Sequence, residues 1–159
     1  MNSQPLPRGE MDRHLRAMRL TTIAILSTAV AAAVVMLTVP TREGPAPPMT
    51  VSLTAAAAAL WVGFTANRDA QTRIDRIKRA FAATGDERRL LRDHRMVNLA
   101  VLCRLEVMVL AAVVADLWGG NPAVAWGVLA LAAIMMGLSW PTADKTSALR
   151  DRAREQRGR

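Results

Sequence analysis

The chain has 159 residues, enough for one domain, and carries a net charge of +8. Nearly all of its basic charge is arginine, with only Lys78 and Lys145 besides, and 52% of its residues are apolar. A pI of about 11.4 in a soluble protein would point to nucleic acid. Here the apolar residues fall in four blocks with the charges between them, as in membrane proteins that gather arginine on their cytoplasmic side, so no nucleic-acid partner is expected. The lone Cys103 excludes an internal disulfide and a CxxC redox pair.

Residues 1–19 form an expected cytoplasmic tail. Its start is rich in proline and polar residues and reads as disordered. From Met11 onward, Met11, Leu15 and Met18 share one helical face, while Arg13, Arg16 and Arg19 occupy the rest. That pattern suits an interfacial amphipathic helix.

The first apolar block, 20–39, is free of charge and long enough to span about 30 Å. The hydroxyls of Thr21, Thr22, Ser27, Thr28 and Thr38 can bond to carbonyls one turn earlier. A competing reading is a signal peptide cleaved near Ala29-Val30-Ala31. The block exceeds the usual apolar core of roughly 7–15 residues, so the span is preferred. Gly44, Pro45, Pro47 and Pro48 then make a loop.

The second block, 51–66, is short for a span and relies on a helix that continues into charged sequence. Ala55, Ala59 and Gly63 recur every four residues, a small-residue stripe for close helix contact. Residues 67–95 read as a cytoplasmic helical hairpin that turns at Thr84-Gly85-Asp86. Ala70, Ile74, Ile77 and Phe81 have the 4-3-4 spacing of a coiled-coil seam, and Leu90 and Leu91 offer partners on the returning helix. Thr84 and Glu87 have capping-box spacing. The seam is a candidate docking surface, and its excess of basic residues suits anionic lipid headgroups.

The third block, 96–118, carries Arg104 and Glu106. Counted from Arg95, both lie a dozen or more Å inside the membrane, where a charge costs about 2.5–3.5 kcal/mol on insertion scales. Two residues apart on a helix, they point roughly 200° away from each other and cannot pair well. They are therefore candidates either for an assembly contact or for an ion path. Asp116 is expected to be hydrated at the outer surface, and Cys103 to pack as a small apolar residue. Gly119 to Pro122 makes a tight turn. The fourth block, 123–140, repeats the small-residue pattern at Gly127, Ala133 and Gly137. Residues 141–159 form a basic tail. Trp118, Trp126 and Trp140 fall where indoles prefer membrane interfaces, whereas Trp61 reads as a packing residue.

Of the 21 basic residues, all but Arg42 and Arg104 lie before residue 20, in 67–95 or after 141. The positive-inside rule puts both termini and the hairpin in the cytoplasm. No Walker loop, GxGxxG, nucleophile elbow or HExxH occurs, and neither histidine has ligand spacing. No catalytic residue, cofactor or metal site is expected. Small multidrug transporters, tetraspanins, quinone-linked disulfide reductases and phage holins come near in size or span number. The motifs of each are missing here, and no family is assigned.

The expected fold is all-α: an integral membrane four-helix bundle whose second and third spans extend into a cytoplasmic hairpin. The expected function is a non-enzymatic assembly or accessory subunit, homo-oligomeric or part of a larger complex, in a bacterial inner membrane. The alternative is a homo-oligomeric ion channel or membrane-permeabilising protein with Glu106 and Arg104 on the path.

Overall fold

A computed structural model describes residues 8–40 and 49–157, so the expected disordered start and most of the Pro-rich loop lie outside the described residues. The described residues form five helices and no strand: α1 (Arg8–Thr38), α2 (Met49–Thr84), α3 (Glu87–Leu117), α4 (Pro122–Leu138) and α5 (Ala143–Arg157). Two helices are long and apolar enough to cross a membrane, those holding the first and third blocks. A third qualifies if α4 and α5, bent by 60° at their junction, count as one span.

α3 is the central helix. It packs against α1, α2 and α4; α4 also touches α1 and α2, whereas α1 and α2 do not form a packed pair. The reason lies in the side chains. Leu102, Leu105, Met108, Val109 and Ala112 give α3 a buried face of large residues. Its neighbours answer mostly with small ones: Ala29 and Ala32 from α1, Ala59 from α2, Ala125 and Ala132 from α4. Large groups on one helix against alanine on the next allow close approach without voids.

The Met11–Met18 segment continues into the first apolar block as a single helix. Leu15 and Met18 are buried in protein, and Glu10 forms an ion pair with Arg88 of α3 at 2.8 Å. The hydroxyls of Thr21, Thr22, Ser27, Thr28 and Thr38 all donate to carbonyls three or four residues earlier, as their helical setting requires.

The connections follow from local chemistry. Gly85 adopts φ 69°, a left-handed conformation that ends α2, with its N–H donating to the Phe81 carbonyl at 2.7 Å. The N-cap of α3 is then Asp86 rather than Thr84: its carboxylate accepts from the Arg89 N–H at 3.0 Å. Thr84 remains the last residue of α2 and donates to Ala80. Between α3 and α4, Gly119 takes φ 75° and Asn121 caps α4, with Pro122 in its first turn. Ser52 accepts from the Asn121 N–H at 3.2 Å and pins the start of α2 to this turn.

Pro141 follows the end of α4 closely, so the carbonyls at this junction need outside donors. Two cations supply them. Lys145 Nζ donates to the carbonyls of Leu138 (2.8 Å) and Trp140 (3.1 Å), and Arg19 Nε donates to that of Pro141 (3.4 Å). Positive charge at a helix C-terminus is favourable in itself.

Candidate functional site

α2 and α3 run antiparallel from the Gly85 turn, which sets what faces what. Arg104 NH1 donates to Asp69 Oδ2 at 2.6 Å. Both side chains are about half exposed. Arg104 therefore has its counter-ion on the neighbouring helix of its own chain, and that counter-ion belongs to the first charged turn of α2. Counted across the hairpin, Arg104 stands level with the end of the apolar block of α2. Counting from Arg95 along α3 alone placed it far deeper. Only fourteen residues separate it from Trp118, about 21 Å of helix.

Glu106 lies half a turn further along α3 and is partly exposed. Among the described residues it has no hydrogen-bond or ion-pair partner. The structure does not bring Arg104 and Glu106 together.

Around the Arg104–Asp69 pair, Ala66, Ala70, Ala100, Val97 and Val101 line a small open cavity of about 20 Å³, with Arg73 at its rim. The small side chains leave the dent, and the cations border it.

The seam residues Ala70, Phe81, Leu90 and Leu91 are buried, and Ile74 and Ile77 are partly so. Their cover comes from within the chain. Phe81, Leu90 and Ile77 cluster with Ala153 of α5. Thr146, Leu149 and Ala153 put a buried stripe on α5, and Arg154 Nε donates to the buried Glu87 carboxylate at 3.0 Å. A partner reaching this end of the seam has to displace α5. The docked C-terminal helix was missed in the sequence, where the tail looked only polar. Its signal was present: Thr142, which accepts from the Lys145 N–H at 3.2 Å, followed by apolar or small residues at three- and four-residue spacing.

The small-residue positions divide into two kinds. On α2, Ala59 and Gly63 are buried, while Ala55 is exposed. A Cβ on Gly63 would come within 2.8 Å of the Met108 Sδ, so the buried Met108 side chain would have to shift. On α4, Gly127 and Gly137 are exposed with nothing within 4 Å of a Cβ, and Ala133 is partly exposed. Three other expectations are corrected. Trp61 faces outward, 68% exposed, beside Phe64; Cys103 is exposed; and Asp116 is buried at 3% exposure. In each case the identities of the packed neighbours, set by the helix order, decided the face.

A second polar feature joins α1 and α3 in the charged region. The rings of His14 and His94 lie 6.5 Å apart, and His14 Nε2 and His94 Nδ1 are buried without a hydrogen-bond partner among the described residues. Burial, and then the positive charge of His14, pushes His94 down to about 4. Burial, and then Arg95, lowers His14. Both imidazoles therefore favour the neutral form. No group of three or more His, Cys, Asp or Glu among the described residues could hold a metal ion. Compared with known proteins, the chain matches no family model, no curated protein and no solved structure.

Proposed function

We propose that this is a non-enzymatic multi-pass membrane protein that serves as an assembly or accessory subunit, with both termini and the hairpin in the cytoplasm of a bacterial inner membrane. The observation that carries the reading is the change from charged to apolar surface along each helix. Arg104 and Asp69 mark it on α3 and α2; Arg19, bonded to the Pro141 carbonyl, marks it on α1 and α4. Beyond it Leu20, Leu53, Leu60, Phe64, Leu110 and Ile134 face outward, which suits lipid rather than water. On this reading the apolar parts of α2 and α4, 51–66 and 123–140, are the second and fourth spans. Both are near 25 Å, short enough to thin the bilayer locally. The basic residues then lie at anionic headgroups.

Assembly is supported by the open face of α4 at Gly127 and Gly137, where a second helix can approach closely. The test is native mass spectrometry of the complex drawn from its own membrane in mild detergent. A larger protein, or a defined oligomer held through α4, fits the reading. A lone monomer at native concentration refutes it. The ion-channel alternative keeps one observation in its favour, Glu106 without a partner among the described residues. It requires ion flux through liposomes that E106Q alters.

A further inference from the structure

One strip of α3 is left uncovered by the rest of the bundle. Val107, Leu110 and Val114 are 52%, 59% and 47% exposed, although α3 is packed by three other helices. The uncovered side follows from the helix order. α4 touches both α1 and α2, and α1 and α2 do not pack on each other, so the strip looks outward from α3 between those two. At its charged end stand Arg104, held by Asp69, and Arg73 one turn of α2 further on, both bordering the small cavity between α2 and α3.

We propose that this face is a binding site for one anionic glycerophospholipid. Its phosphodiester lies against Arg73 and Arg104, and an acyl chain runs along Val107, Leu110 and Val114. The inference rests on the membrane reading above and not on the assembly reading. Three observations fix the ligand class. Two guanidiniums against one carboxylate leave one net positive charge, the complement of one phosphodiester. Asp69 takes one edge of the Arg104 guanidinium, which has five N–H donors, so several stay free, and Arg73 has no ion-pair partner among the described residues. The apolar strip begins one turn past Arg104, on the membrane side, where a free phosphate has nothing to contact and a lipid has its chain. Basic pockets between helices at the cytoplasmic face are the usual form of such a site.

The experiment is native mass spectrometry of the purified full chain titrated with phosphatidylglycerol and, separately, phosphatidylcholine. Wild type is expected to hold one phosphatidylglycerol in preference to phosphatidylcholine. R73Q leaves the Asp69–Arg104 pair intact and is expected to weaken phosphatidylglycerol binding about tenfold, the loss of one charge-assisted contact. R152Q makes the same charge change on exposed α5 and is expected to bind as wild type. V107W fills the strip while keeping both cations and is expected to lose the lipid too. Equal losses from R73Q and R152Q would mean unlocalised charge attraction and overturn the proposal. So would unchanged binding by V107W, or displacement of the lipid by glycerol 3-phosphate. Recovery of the chain in the soluble fraction overturns the membrane reading itself, before any lipid is weighed.

Discussion

The His14–His94 contact gives the most quantitative prediction. Packing α1 against α3 buries both imidazoles beside each other, with Arg95 adding positive charge and the Glu10–Arg88 pair about a turn away. His94 falls from an ordinary 6.5 to about 4. A base whose folded-state pKa is lowered binds fewer protons folded than unfolded between those two values. Stability therefore rises with pH across pH 4–6.5 and is lost as the solution is acidified through that window. At pH 5.5 the penalty from His94 alone is on the order of 1 kcal/mol, rising to roughly 2–3 kcal/mol at pH 4.5 and fading above pH 7. Carboxylates elsewhere also titrate, so the assay is a difference. Thermal unfolding of wild type and H94Q in one detergent is followed from pH 7.5 to 4.5. H94Q, which carries no titrating group, is expected to lose less stability on acidification by about these amounts. Hydrogen exchange should show the 11–18 segment of α1 opening first in the wild type. Parallel pH profiles for the two proteins would refute the buried-pair account.

Three further predictions follow from packing and charge. G127A and G137A meet nothing within 4 Å and should gain about 0.5–1 kcal/mol of helix propensity, whereas G63A should lose about 1 kcal/mol because its Cβ meets buried Met108. The readout is the unfolding temperature of each variant; a fall in complex mass with G127A would mark that face as an interface. D69N should cost about 0.5–1 kcal/mol, since the Arg104 pair is half exposed, and the exchanged double variant D69R/R104D should recover most of it in a double-mutant cycle. R154Q removes a pair with buried Glu87 and should destabilise by about 1–2 kcal/mol. The loss should be concentrated in α5, whose amides exchange first; uniform exchange across the chain would speak against a locally docked helix.

The helices were legible because each apolar block, breaker and cap acts locally. Gly85, Gly119 and Pro122 sit where the pattern puts them, and the long α2 was expected from a span that runs into a heptad. What was not legible depended on contacts between elements. Asp69 as the partner of Arg104 is the clearest case. The two are separated by 35 residues, yet one lies sixteen before Gly85 and the other nineteen after it. An antiparallel hairpin brings such positions together, so the pairing was available by counting outward from the turn. Counting along α3 alone took Arg95 as the boundary and hid this partner. Trp61, Cys103 and Asp116 failed for a related reason. Periodicity says which residues share a face, but not which face meets the neighbouring helices.

These placements bear on the choice between assembly and ion conduction. A path through a bundle needs several polar groups converging on one line at successive depths. Here the one cation in block three is matched by Asp69 at the charged end, and Glu106 stands half a turn further in without a relay partner among the described residues. The hydroxyls deeper in the apolar region are turned back on their own helix: Thr22 on Met18, Thr28 on Ile25, Thr65 on Trp61. Side chains committed in that way hand nothing on to a passing ion. The interior they leave is alanine, leucine and methionine, a dry core that resists hydration. A conduction path would therefore have to form between subunits, on the outward face of α3 or α4. It would presuppose the same assembly that the leading proposal requires.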